Sequence, residues 1–324
     1  MPPSLLETFR ILSSFEPPKG SLRAAPWEEY VDWAISQGLA PLAAYNLEYR
    51  MGGGADAPEW ARDRLLSIYQ GSVNDNVMKL VHFKRIVDDL EGRKMLLMGG
   101  AAFAEALYPH VGFRPVLDIQ VMLRRMDVDG FAGYLGQHQF RPEKDELNSG
   151  ATRVVSDGRT AVYLFSDVLG AGRREELQGV FDRSKPMRVY GPSVFRPDLE
   201  DAVLLLCLEF ARQGFQVPWL YFVDLRELVT GATWMGGIYS RPLEVAALQE
   251  RAKAWRLERA LYTALSIVER LFPHTASIVE AARPPLRRAT RELLNRLVVE
   301  PVSTPGNQAV IRGADRLRRL LTGQ

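Results

Sequence analysis

The sequence predicts an α+β fold, with a small mixed β-sheet set between helical N-terminal and C-terminal segments. Three observations carry the prediction. Residues 94–123 read as strand, Gly-Gly, helix, loop, strand. Two short hairpins follow before residue 196, one marked by the turn pair Asp157-Gly158. Both flanks carry apolar residues at helical spacing. The chain therefore divides into 1–92 (helical), 93–195 (sheet core) and 196–324 (helical subdomain), and its 324 residues can bury a substantial core.

In order, Pro26 opens a helix whose acids, Glu28 and Glu29, sit by the positive end of the dipole, and Gly38 stops it. Leu42–Met51 reads as a second helix, and Gly52-Gly53-Gly54 as a flexible connection. Glu59 to Leu90 forms one or two long helices with a core-facing stripe that includes Leu65, Leu80, Val77, Val81, Ile86 and Val87. In the centre, Met95–Met98 is a strand and Ala101–Tyr108 a helix. Pro109, Gly112 and Pro115 make a loop, and Val116–Leu123 is a second strand. Asp127–Gln137 is a helix on the sheet, with Phe131, Tyr134 and Leu135 inward. Arg153–Ser156 pairs with Thr160–Phe165, and Met187–Tyr190 with Val194-Phe195. Helices return at Leu199–Arg212 with Asp198 as N-cap and Asp201 as a weaker capping box, then at Trp219–Thr230, Leu243–Phe272 (with a break near Lys253) and Pro285–Val298. The final segment, with Arg312, Arg316, Arg318 and Arg319, reads as a solvated face or a basic docking helix.

Composition removes several classes of function. Net charge is +2, so no global basic field calls for nucleic acid. No apolar run approaches the roughly 18 residues of a membrane span, and MPPSLLETFR lacks a signal-peptide pattern. One cysteine, Cys207, excludes an internal disulfide and reads as a buried small hydrophobe; a cytoplasmic protein is expected. His82, His110, His138 and His274 show no metal-ligand spacing, and there is no P-loop, dinucleotide fingerprint or Gly-x-Ser-x-Gly.

The central stretch keeps chemistry. Gly99 and Gly100, between a strand and a helix, suit either a phosphate cradle or a tight turn. The period of two puts Asp118 and Gln120 on one face of their strand. Arg114 would clamp a phosphate or pair with Asp118.

The ordered string Gly99, Leu107-Tyr108-Pro109, Gly112, Arg114-Pro115 and Asp118-Ile119 resembles the core of the uncharacterised nucleotidyltransferase family, related to the polymerase-β-like nucleotidyltransferases. The resemblance implies a nucleotidyltransferase-like core and transfer of a nucleoside monophosphate from a nucleoside triphosphate (NTP) to an unknown acceptor. Two Mg²⁺ ions would hold the attacking and leaving oxygens. It also implies roles: Asp118 as metal ligand, Gln120 as a weak second ligand, Gly99 and Gly100 on the phosphates, and Arg114 on the developing charge.

This sequence departs from the pattern where the chemistry sits. Gln120 replaces the second carboxylate of Asp-x-Asp. Tyr163 and Phe165 stand where the family tends to carry Asp and His. Met98 replaces a lysine, and Glu209 and Gln213 replace two histidines. Asp167 is about 13 Å along the strand from the third position. Catalysis is thus expected to be impaired or lost. The alternative is a catalytically silent nucleotide-binding or protein-interaction module. A binding role should leave an open cleft at Gly99, Arg114, Asp118 and Gln120; a structural role should fill it with Met98, Tyr163 and Phe165.

Overall fold

The computed structural model describes residues 4–15, 22–52, 56–88, 94–145, 150–170, 172–231, 239, 241–304 and 321. Gly53, Gly54, Arg312, Arg316, Arg318 and Arg319 lie outside them.

The N-terminal helices are α1 (Leu5–Leu12), α2 (Trp27–Ser36), α3 (Ala40–Tyr45) and α4 (Glu59–Asp88). Gly38 ends α2 at a φ of +70°, a conformation open to glycine without steric cost. The helix expected over Leu42–Met51 begins earlier and changes pitch, running from α3 into a π-helical turn at Asn46–Arg50. Widening at Asn46 accompanies a buried side-chain role: its Nδ2 donates to Leu12 O and Ser14 O at 2.8 and 2.7 Å. Along α4 the expected stripe is only half right. Leu65, Leu80, Ile86 and Val87 are buried, whereas Val77 and Val81 are exposed, because the inner face at that level is taken by Asn76, Leu80 and Phe83.

The core begins with β1 (Met95–Met98), α5 (Gly99–Ala106) and β2 (Asp118–Met122), then α6 (Arg125–Gln137). Phe131 and Leu135 of α6 point inward as expected, and Tyr134 is half-buried with its hydroxyl donating to Ile86 O. Strands β3 (Arg141–Glu143), β4 (Arg153–Ser156) and β5 (Ala161–Phe165) follow. The β4–β5 turn works as read: Asp157 Oδ1 accepts from the N–H groups of Arg159 and Thr160, and Gly158 supplies a φ of +85°.

Helix α7 (Arg174–Arg183) has no counterpart in the sequence reading. The second hairpin is shifted. Its strands are β6 (Lys185–Pro186) and β7 (Val194–Arg196), and Arg188–Tyr190, expected as strand, is a 3-10 turn. Among the described residues seven strands form one mixed sheet in the order β3-β4-β5-β2-β1-β7-β6. The β1–β2 pair is antiparallel, and β2–β5 and β1–β7 are parallel.

The C-terminal helices are α8 (Leu199–Arg212), α9 (Leu220–Thr230), α10 (Val245–Ala254), α11 (Glu258–Leu271), α12 (Ala276–Ala282), α13 (Arg288–Leu294) and α14 (Glu300–Val302). The break expected near Lys253 falls at Trp255–Leu257, where Arg256 takes a φ of +57°. The helix expected from Pro285 starts at Arg288. Helix α8 packs on α9, α10 and α11. Its start is tied electrostatically. Asp198 makes no side-chain cap; its carboxylate meets Arg241 at 3.0 Å and Arg251 at 3.5 Å. Asp201, in place of a capping box, holds Arg183 at 2.9 Å and Arg251 at 3.0 Å.

The loop before β2 is held by one side chain. Asn76 Nδ2 donates to Val111 O (2.6 Å) and Arg114 O (2.7 Å), and its Oδ1 accepts from Val116 N–H (2.8 Å). Removing it leaves three buried backbone groups without a partner. Asn76→Ala should cost about 3 kcal/mol, read as a lowered midpoint in urea unfolding; a change under 1 kcal/mol would show that water replaces the amide.

Candidate functional site

The site is built on one row across the sheet. Gln120 on β2 lies between Met98 on β1 and Tyr163 on β5, and partners in a ladder project to the same side. Asp118, two residues earlier on the same face, neighbours Ala161. The second-carboxylate position is therefore an amide, flanked by a thioether and a phenol.

A cleft of about 560 Å³, open mouth included, lies between this row and α8. Its walls are largely apolar, with Phe103, Phe165, Leu205 and Leu206 among them, and its polar groups are Gln120, Glu209 and Arg212. Gly99 lines it at a φ of +55°; a Cβ there would sit 3.0 Å from Gln120 Oε1, so the amide and the glycine define each other's place. Met98 and Phe165 are walls of the cleft and do not fill it.

Three of the sequence-predicted residues, Asp118, Arg114 and Gly100, do not line the cleft. Arg114 is 2% exposed and engaged in a buried ion pair with Asp224 on α9. Its Nε and Nη2 donate to the Asp224 carboxylate at 2.8–3.1 Å, and Nη1 donates to Pro115 O. Tyr108 Oη donates to the same carboxylate at 2.7 Å. This corrects both expectations for Arg114: it neither faces a phosphate nor pairs directly with Asp118. Gly100 serves that joint, since a Cβ would come 2.2 Å from Arg114 Nη1. The two glycines form the first turn of α5, two residues before the expected helix start, and that turn carries no side-chain cap.

Asp224 and Tyr108 were invisible as partners, although an acid inside the apolar run Leu220–Val229 is a signal of a buried counter-charge. Glu209 and Gln213, noted only as departures, do reach the site. The Nε2 atoms of Gln120 and Gln213 donate to Glu209 Oε1 at 3.5 and 3.4 Å. Burial and then the negative charge of Asp118 push the Glu209 carboxyl up to about 7, against the pull of Gln120 and Arg114. Burial likewise raises Asp118, opposed by Arg114, Gln120 and Lys79.

A two-Mg²⁺ centre needs anionic oxygens that bridge the ions. This donor set does not fit one. Asp118 supplies a carboxylate, Gln120 a neutral amide and Tyr163 a phenol. Among the described residues no three His, Cys, Asp or Glu side chains gather to hold a metal ion. Asp167 is exposed beyond the end of β5.

Residues 23–273 match the profile of the uncharacterised nucleotidyltransferase family. No curated protein matches the chain. Among solved structures it is similar to an antigenic nucleotidyltransferase-like protein from Paracoccidioides brasiliensis, at 15% identity, over 66% of this chain and 96% of that one, with a TM-score of 0.42. No helix among the described residues is long and apolar enough to cross a membrane.

Two predictions follow from the geometry. Asp224→Ala leaves the Arg114 charge buried and unpaired, and should lower stability by about 3–5 kcal/mol in denaturant unfolding; Arg114→Met with Asp224→Leu should recover most of the loss. The second concerns pH. Glu209 binds its proton more tightly folded than unfolded, so its ionisation penalty is absent below the unfolded value of 4.5 and complete above about 7. Glu209→Gln should then stabilise the protein on the order of 2 kcal/mol at pH 8 and leave it unchanged at pH 4, measured by thermal unfolding at both pH values.

Proposed function

We propose that this chain, which belongs to the uncharacterised nucleotidyltransferase family, uses its cleft to bind the nucleoside part of a nucleotide and does not carry out two-metal nucleotidyl transfer. One observation carries the reading: Gln120 occupies the second carboxylate position and meets Glu209 at 3.5 Å on the wall of an apolar cleft. Apolar walls favour a flat organic body, because burying it removes apolar surface from water. The polar groups at the end of the cleft fix its orientation.

The surroundings suit a triphosphate poorly. Met98 stands where a lysine would balance phosphate charge, and Arg114 is engaged by Asp224. Arg212 lines the cleft with its Nη2 donating to Val168 O at 2.5 Å. Asp118 and Glu209 add negative charge nearby. The binding energy would therefore come from the base and sugar, with the phosphates directed outward to solvent. A cytoplasmic location belongs to the same reading, in line with a lone buried thiol at Cys207.

Calorimetric titration with ATP, GTP and their nucleosides, with and without Mg²⁺, tests this on the wild type and on Asp118→Ala. Micromolar binding of nucleoside and nucleotide alike is expected, indifferent to Mg²⁺ and retained in the variant. Binding that requires Mg²⁺ and is lost in Asp118→Ala would restore the metal-dependent enzyme. No heat from any of them would remove the nucleotide from the reading.

A further inference from the structure

We infer that Glu209 is the specificity-determining residue of the cleft, selecting a flat apolar ligand that ends in two adjacent N–H donors, as the imino–amino edge of guanine or an amidine does. For a nucleoside this rests on the function proposed above; for an amidine it does not.

The two oxygens of a carboxylate offer about four lone-pair positions and no donor. In Glu209 only Oε1 is engaged, by two neutral amides at 3.4–3.5 Å, the long limit of a hydrogen bond. Those contacts hold the side chain in place without neutralising it. Among the described residues no lysine, arginine or histidine forms an ion pair with Glu209. The carboxylate lines an apolar cleft next to Phe103, Phe165, Leu205 and Leu206. An acceptor left short of donors in such surroundings is strongly stabilised by a ligand that brings them.

The pattern of donors then discriminates among bases. Guanine presents its imino and amino N–H groups side by side, matching the two oxygens of one carboxylate. Its neighbouring carbonyl would lie toward Gln120, whose Nε2 sits within 3.5 Å of Glu209 and also donates to Asp118. Adenine and cytosine present one amino group beside a ring nitrogen whose lone pair would oppose the carboxylate. Uracil presents one imino group between two carbonyls. Of the bases, only guanine offers Glu209 two adjacent donors. A well-made bidentate pair is worth roughly tenfold or more in discrimination. An amidine on an aromatic ring offers the same two parallel donors with a positive charge in addition.

The test is calorimetric titration at pH 8 with guanosine, inosine (which lacks the amino group), adenosine and benzamidine, on wild type and Glu209→Gln, with thermal melting as the folding control. Affinity should fall from guanosine to inosine to adenosine. Benzamidine should bind, and Glu209→Gln should weaken guanosine and benzamidine about tenfold while leaving adenosine nearly unchanged. Equal affinity for guanosine and adenosine, or indifference of guanosine and benzamidine to Glu209→Gln, would overturn the inference and leave nucleoside binding standing. Benzamidine binding that depends on Glu209, with no nucleoside bound, would do the reverse. No binding by any of the four would overturn both.

Discussion

The pair Arg114–Asp224 is the constraint on which the arrangement of this molecule depends. It ties the loop before β2 to α9, and its carboxylate also takes the hydroxyl of Tyr108 from the end of the α5 segment. The Arg114 carbonyl is held by Asn76 of α4. Three stretches that are far apart in sequence, around Asn76, Tyr108 to Arg114, and Asp224, therefore meet around one guanidinium. Desolvating two charges is costly, and the geometry offsets that cost with bidentate contact and a third donor. An arrangement of this kind specifies one relative position for sheet and helices more than it adds net stability. It also explains Gly100, where the backbone of α5 must pass close to the guanidinium.

The same pair decides what the site can do. A guanidinium locked to an aspartate is not available to a ligand, so the Arg114 charge lies behind the cleft, and the guanidinium that lines it is that of Arg212, with Nη2 on Val168 O. What faces the cleft is Met98, Gln120 and, beside Gln120, Glu209. Glu209 gives the cleft an acidic acceptor in search of donors, alongside the Arg212 guanidinium.

Local pattern was enough for much of the fold. Leu199–Arg212 matches α8 residue for residue, because a helix with an unbroken apolar stretch from Ala202 to Leu208 is closed by Gly214 at a φ of +60°. The strand Met95–Met98 and the turn at Asp157-Gly158 were legible for equally local reasons. The shared face of Asp118 and Gln120 followed from the strand period, whereas the register that sets Gln120 beside Tyr163 came from the sheet. The partner of Arg114 was not legible. Asp224 is 110 residues away, and nothing in the spacing of a sequence reports a contact at that range. Helix α7 was missed because only Leu177, Val180 and Phe181 mark its inner face, a signal weaker than that of the flanking segments. Asn76 was hidden inside an apolar stripe whose inward face it interrupts.

The two ends of the sheet have a further consequence. Strand β3 is three residues long and fully exposed, β6 is two, and each contains a proline, Pro142 and Pro186, beside charged neighbours. A proline offers no N–H to an incoming strand, and so short a ladder gives it little to grip. The sheet is in effect closed to extension at both margins. A partner protein that recognised this chain would have to read side chains on the helices, and the mixed sheet is protected from the edge-to-edge pairing that leads open sheets into aggregates.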